Sequence, residues 1–257
     1  MFDTCMEDRA RTDFGRVQGF VAALKSAASL PEVELILSEA TTAYEFDHFA
    51  MLQRLSRKNS VGPIQLTDYP DEWVEHLLRD RRYTDDPVLI ASERTVAAFT
   101  WSELPTLLPI TRRQESFMHA ARLRGLGQGY TVPIHVPGEA MGLCSFVTSH
   151  NRALPQGALP AMQYLACFAF ESARRLAAAF GDPKKPGPRL TPRQLECVVL
   201  AARGKSNWVV GELLGLSPQT VHKYLENAKR RYGVSSRTEL VVKALFDGQL
   251  LFQDVVN

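Results

Sequence analysis

Residues 181–189, GDPKKPGPR, place three prolines, two glycines and three basic side chains in nine positions. Proline has no amide hydrogen to give a helix and pushes its predecessor out of the helical region, so no helix can cross this stretch. It reads as a linker. It divides the 257-residue chain into two parts that each suit a single core: residues 1–180, the linker 181–189, and residues 190–257.

Charge follows the same division. Residues 1–182 hold 18 basic against 22 acidic side chains, a net −4, while 183–257 hold 12 against 6, a net +6. A basic tail on an acidic body is expected when one part alone meets a polyanion. The four cysteines, Cys5, Cys144, Cys167 and Cys197, form no Cys-x-x-Cys pair, which argues against zinc or a disulfide framework and fits a reducing cytoplasm. There is no apolar leader and no run of about 18 uncharged apolar residues. The expectation is a cytoplasmic protein without membrane contact, metal or cofactor.

In the C-terminal part, LTPRQLECVVLAARG opens with Thr191 as N-cap, Pro192 in the first turn and Gln194 completing a capping box. Leu195, Val198, Val199 and Ala202 are expected on its buried face, and Gly204 stops the helix. A short second helix in SNWVVGELLG is expected to bury Val209, Val210, Leu213 and Leu214 before a turn at Gly215. In the third, SPQTVHKYLENAKRRYG, the residues Val221, Leu225, Ala228 and Tyr232 share one side of a helical wheel. Gln219, His222, Lys223, Glu226 and Arg230 project the other way. Ser236 and Glu239 suggest a capping box for a fourth helix. A short helix, a glycine turn and a helix with a basic, amide-bearing outer face make a helix-turn-helix suited to the DNA major groove. A small bundle with a solvated charge stripe is the plainer alternative.

Residues 190–245 resemble the DNA-binding domain of LuxR-type transcription regulators: Gly204-Lys205-Ser206, Ser217-x-x-Thr220-Val221 and Arg237-Thr238 carry the likeness. Gln194 stands where that family usually has glutamate, and glutamine can make the same capping bond. Chemistry divides the outer face: Lys223 and Arg230 suit phosphates or guanine edges, Gln219 adenine and Glu226 cytosine. Lys205, Thr220 and Lys229 suit backbone positioning.

In the N-terminal part, helical patterns cover residues 14–28, 31–44, 70–82 and 111–125, with a long amphipathic helix over 154–180. GYTVPIHV and AMGLCSFVTS flank Pro137-Gly138-Glu139 as a hairpin, and DHFAMLQRL and GPIQLTDY read as further strands. The expected fold class is α+β: an N-terminal α/β/α sandwich around an antiparallel sheet, plus a C-terminal four-helix helix-turn-helix domain. A phosphorylated receiver, which needs an acidic cluster near its N-terminus, an aspartate at the end of a buried strand and a later lysine, is disfavoured by this antiparallel pattern.

YPDEWVEHLLRDRRYTDDPV, residues 69–88, spaces Tyr69, Trp73 and Leu77 at helical intervals ahead of Asp86-Pro87. With Trp101, Gly129 and Ser145, this stretch resembles the autoinducer-binding domain of LuxR-type receptors for acyl-homoserine lactones. The resemblance implies a ligand site of Tyr69, Trp73, Leu77, Asp86, Trp101 and Ser145. Such a lactone offers one amide hydrogen, two carbonyls and a tail. Asp86 can accept the amide hydrogen, Tyr69 can donate to the acyl carbonyl, Trp73 to the lactone carbonyl, and Ser145 can add a bond from the sheet. Trp101 packs on the ring or the start of the chain. Taken singly, these aromatics also suit an ordinary core, and Asp86 a turn cap. Leu77 stands where the family usually has tyrosine, so a wider, apolar tail wall is expected.

The resemblance further implies a homodimer joined through the 154–180 helix, a palindromic promoter site, and RNA polymerase as a possible partner. Two alternatives stay open: a solo regulator that senses another small molecule, or one that binds DNA without ligand. An enzyme is disfavoured, since no His-Glu-x-x-His or Gly-x-Ser-x-Gly occurs and Cys144 and Cys167 sit in apolar runs expected to be core.

Overall fold

The structure, a computed structural model, describes residues 15–53, 64–80, 85–137, 139–149, 152–180 and 188–256. Its contacts divide the chain into two compact units, with the main boundary between residues 182 and 183.

The first unit begins with helices α1 (residues 15–26) and α2 (Leu30–Ala43). Ser29 caps α2 by accepting from the Glu32 amide. Strands β1 (His48–Gln53) and β2 (Gln65–Thr67) follow, then α3 (Asp71–Asp80), α4 (Pro87–Ser92), β3 (Phe99–Thr100), α5 (Leu104–Leu107) and α6 (Arg112–Leu123). The hairpin β4 (Gln128–Ile134) and β5 (Gly142–Thr148) leads into α7 (Leu159–Phe180). The sheet runs β2-β1-β5-β4-β3 with every pairing antiparallel. In register, one row crosses all five strands: Thr67, Ala50, Ser145, Thr131 and Phe99.

Because side chains alternate along a strand, the rows on either side of that one face the other way. Met51, Cys144 and Val132 pack with Phe49, Phe146 and Tyr130 against α1, α2 and α7. On α7 the buried residues include Met162, Leu165, Ala166, Ala169 and Ala173, and the small size of the three alanines brings the helix close to the sheet. A Cβ at Gly142 would lie 2.2 Å from the Phe170 ring. On the opposite face Val147 and Phe99 pack with Trp73, Val88, Ala91, Leu104, Phe117 and Met118, from α3 to α6. The unit is the α/β/α sandwich expected.

Three details differ from the sequence reading. The closing helix starts at Leu159 and not 154: Pro155 caps a 3-10 turn over Gln156–Ala158, and Pro160 fits the helix's first turn. Tyr69 precedes α3 across Pro70, so only Trp73 and Leu77 share a helical face. Cys167 is exposed on α7 while Cys144 is buried, so of these two only Cys144 is inert core.

The second unit holds α8 (Pro192–Ala202), α9 (Asn207–Leu214), α10 (Pro218–Tyr232), α11 (Arg237–Phe246) and a fifth, short helix α12 (Phe252–Val256) beyond the four expected. Thr191 and Gln194 form the capping box of α8. Gln194, Cys197, Val198 and Ala201 take its most buried face, leaving Leu195, Val199 and Ala202 partly covered. On α9, Val210 and Gly211 are buried, but Leu213 is 59% exposed, contrary to expectation. Two turns of helix present too narrow a face to bury four side chains. A Cβ at Gly211 would sit 2.5 Å from the Leu216 carbonyl oxygen, so this glycine lets α9 and the turn close on each other. Gly215 (φ 66°) and Gly233 (φ 61°) take the left-handed region that ends α9 and α10. Glu239 accepts from the Ser235 amide and not, as a capping box would require, from Ser236. The Arg203 Nε donates to the Asp254 carbonyl oxygen at 2.6 Å, tying α12 to the end of α8.

Among the described residues, no helix is long and apolar enough to cross a membrane, and no cluster of His, Cys, Asp and Glu is placed to hold a metal.

Candidate functional site

The sheet face covered by α3 to α6 collects all six N-terminal candidates. Trp73 is buried, with its ring edge-on to Phe117 at 5.0 Å between centroids and 72° between planes. Tyr69, Leu77 and Trp101 are half-buried against the same apolar cluster. Ser145 rises from the middle of β5 and is buried. Its hydroxyl reaches the Tyr69 phenol. Asp86 is the N-cap of α4, where its Oδ1 accepts from the Val88 amide at 2.8 Å. The turn-cap reading of Asp86-Pro87 is therefore met, and the same cap leaves the carboxylate near enough for its charge to act on the Tyr69 phenol.

That arrangement fixes the phenol's chemistry. Burial pushes the Tyr69 hydroxyl well above the ordinary tyrosine range, and the nearby Asp86 carboxylate adds to the shift. Tyr69 is thus a neutral hydrogen-bond donor throughout the working pH range.

Trp101 starts a 3-10 turn after β3 and lays its indole on β4. A Cβ at Gly129 would fall 2.2 Å from that ring, so residue 129 must be glycine for packing; its φ is not in the left-handed region. The Trp101 Nε1 donates to Thr131 Oγ1 at 3.0 Å, and Thr131 Oγ1 lies 2.8 Å from Ser145 Oγ. Thr131, fully buried, escaped the sequence reading because threonine in a strand is unremarkable by composition. The hairpin carried a signal, however. A fold centred on residue 138 pairs Thr131 with Ser145.

A second device holds Tyr69. His48, at the start of β1, makes an edge contact with the Tyr69 ring at 6.4 Å. Its Nδ1 lies 3.0 Å from the Asp68 carbonyl oxygen, while Asp68 Oδ1 accepts from the Phe49 amide at 2.6 Å. The hydrogen bond with the Asp68 carboxylate is the main cause that raises the His48 pKa, opposed by burial and aided by the Asp68 and Asp47 charges and by the bond to the Asp68 carbonyl oxygen. A raised histidine pKa contributes stability that is complete below about pH 6.5, the unfolded value, and is lost as pH rises through the folded value. The thermal midpoint of the wild type is therefore expected to fall more between pH 6 and pH 8 than that of His48→Gln. Parallel slopes in a thermal melt series would remove this clasp.

In the second unit, Val221, Leu225, Ala228 and Tyr232 are buried and the opposite side of α10 is turned outward. Gln219, His222, Lys223 and Arg230 are exposed, as is Lys205 before α9. Four assigned residues, Thr220, Glu226, Lys229 and Arg230, have internal partners. Thr220 bonds the Ser217 cap, Oγ1 to Oγ, at 2.9 Å. Lys229 bridges Glu226 at 2.6 Å and donates to the Ser235 carbonyl oxygen at 3.1 Å, joining the end of α10 to the turn before α11. That bond holds the Glu226 carboxyl below its usual range. Arg230 donates to Asn227 Oδ1 at 2.5 Å. Arg237, marked in the sequence only as part of the family likeness, has a guanidinium that bonds the Lys205 carbonyl oxygen and Asn207 Oδ1 and so fixes the loop entering α9.

Comparison with known families matches residues 29–173 to the autoinducer binding domain and residues 188–244 to the bacterial regulatory proteins of the luxR family. The chain is a LuxR-type transcription regulator. The transcriptional activator BjaR1 of Bradyrhizobium diazoefficiens is 30% identical over 178 residues, covering 69% of this chain and 72% of BjaR1. The HTH-type transcriptional regulator y4qH of Sinorhizobium fredii is 29% identical over 181 residues, covering 70% of this chain and 55% of y4qH. Among solved structures, Escherichia coli SdiA shares the fold with a TM-score of 0.66 at 20% identity, over 93% of this chain and 99% of SdiA. SdiA in complex with octanoyl-rac-glycerol gives 0.65 at the same identity, over 91% and 95%. These relatives are regulators, not enzymes.

The LuxR-type frame sets the two candidate regions side by side in function. The autoinducer-binding match contains all six ligand candidates, and the regulatory match contains all eight DNA candidates, from Lys205 to Arg230.

Proposed function

We propose that this regulator is a quorum-sensing receptor: its N-terminal unit binds an N-acyl- or N-aroyl-homoserine lactone, and α10 reads promoter DNA. The convergence of Tyr69, Asp86 and Ser145, beneath Trp73 and Trp101, carries the proposal. It assembles a neutral donor, a carboxylate acceptor and a hydroxyl on one buried sheet face, which is the complement of a secondary amide. Asp86 takes the amide hydrogen, Tyr69 and Ser145 serve the acyl carbonyl, and the Trp73 indole serves the lactone carbonyl. Leu77 leaves the tail wall apolar and short of a ring, which favours a branched, long or aromatic acyl group. Each buried methylene adds about 0.8 kcal/mol.

Binding stabilises the folded chain by mass action. The outer side of α7, with Tyr164 44% exposed beside Cys167, suits a second copy of the chain. A dimer presents two α10 helices about one DNA turn apart, so a palindromic site follows. Electrophoretic mobility shifts with and without lactone test the whole reading: retardation of promoter DNA should need, or be strengthened by, a homoserine lactone. Shifts that ignore every lactone tried would reject it in favour of ligand-free DNA binding.

Within α10, Lys223→Ala is expected to weaken promoter binding and lower the salt dependence by about one counterion. Arg230→Ala should weaken it as well. Lys229→Ala should instead lower the melting temperature, through the junction with α11. If neither Lys223→Ala nor Arg230→Ala changes the gel-shift midpoint, α10 is not the reading helix.

One observation favours a second reading. Leu77 departs from the family's tyrosine, and SdiA, which shares the fold, has been solved with octanoyl-rac-glycerol. A solo receptor for a non-lactone acyl compound would keep the same apolar layer. Mass spectrometry of the small molecule that co-purifies from the native host separates the two.

A further inference from the structure

An indole nitrogen carries a hydrogen and offers no lone pair, so in its 3.0 Å bond with Thr131 the Trp101 side chain can only donate. Thr131 and Ser145, 2.8 Å apart, are both hydroxyls, and either can be the donor between them. The fixed direction at Trp101 breaks that symmetry. If Ser145 donated to Thr131, the threonine oxygen would accept twice and its own hydrogen would need another acceptor. The hydrogen bonds of the Thr131 hydroxyl among the described residues run only to Trp101 and Ser145. Both hydroxyls are buried and directly opposite in the sheet register, so exchange with solvent does not blur the order. Thr131 therefore donates to Ser145, and Ser145 donates onward, on the side where Tyr69 stands.

We propose that Trp101 and Thr131 are positioning residues: together they aim the Ser145 hydrogen into the ligand layer, where Ser145 and Tyr69 act as paired donors to one carbonyl oxygen. The proposal rests on the lactone reading and deepens it. It assigns a polarity to the seat, which takes an acceptor, and gives a role to a threonine that need not touch the ligand. A ligand presenting a hydrogen-bond donor at that point would oppose two hydrogens already aimed at it.

The test uses the full-length chain and two probes, N-octanoyl-homoserine lactone and its thioamide, in which sulfur, a weaker acceptor, replaces the acyl oxygen. For the wild type the thioamide should bind roughly tenfold more weakly. Thr131→Val, which keeps the side-chain volume and removes the hydroxyl, should bind the octanoyl lactone about tenfold more weakly and lose most of the oxygen-over-sulfur preference. Thr131→Ser should restore both. An undiminished preference in Thr131→Val overturns the relay, and so does a Thr131→Ser variant as impaired as the valine. If Thr131→Val does not fold, Trp101→Phe removes the donor that starts the chain and must show the same loss of preference; a retained preference overturns the proposal. A wild type that binds neither probe fails differently, since it takes away the lactone reading itself.

Discussion

Asp86→Asn is expected to weaken lactone binding by roughly 10- to 100-fold, because it exchanges a charge-assisted acceptor, worth about 1.5–3 kcal/mol, for a neutral amide. The variant discriminates because Asp86 has two duties. Its Oδ1 caps α4 through the Val88 amide, and asparagine caps a helix about as well as aspartate. The fold should therefore persist while ligand response is lost. Asp86→Ala removes both duties and should also lower stability by about 1 kcal/mol. Isothermal titration with lactone, alongside thermal melts, separates the two losses. If Asp86→Asn binds lactone as the wild type does, the carboxylate only caps.

The second large effect belongs to Gly129. An alanine there brings a methyl group within 2.2 Å of the Trp101 indole, where a strand backbone cannot yield. Overpacking of this kind costs about 1–3 kcal/mol, and the ring must swing off β4 to relieve it. That movement breaks the Trp101–Thr131 bond, which leaves a buried hydroxyl short of a partner. Gly129→Ala is expected to lower the melting temperature by several degrees and to abolish ligand binding. Because Gly129 is not in the left-handed region, the effect tests packing alone: the double variant Gly129→Ala with Trp101→Ala should regain stability relative to Gly129→Ala. If it does not, the glycine serves some other purpose.

Much of this architecture was legible in residue order. The helices and hairpin strands with full periods emerged within a few residues of their ends, since a face repeated over several turns dominates local propensity. The short elements did not emerge. Helix α4 has six residues, α5 four and β3 two, too few for any period to register. Yet these carry Asp86 and lead into Trp101. The spacing of Tyr69, Trp73 and Leu77 looked helical, but Pro70 takes Tyr69 out of the helix, and tertiary packing brings it back to the same layer.

The site was legible as a set of residue types and not as a circuit. Spacing could nominate Trp101 and Ser145 separately, while the link between them runs through Thr131, which shows no periodic or compositional mark. Likewise Glu226 looked like a base-reading side chain and Lys229 like a backbone-positioning one, and the structure engages them with each other. Charge on an outward face is visible in sequence; whether that charge already has an internal partner is not.

Strand β5 is buried along all seven of its residues. Ser145 and Val147 look toward α3 to α6, and Cys144 and Phe146, their immediate neighbours, press on α7. It is a partition one residue thick between two closely packed rooms, without slack to absorb a change on either side. Enlarging Ser145 or Val147 to retune the receptor for smaller acyl groups would bow the partition toward the alanines of α7. Efforts to re-engineer the preference will therefore succeed more readily from the helical wall, at Leu77, than from the sheet.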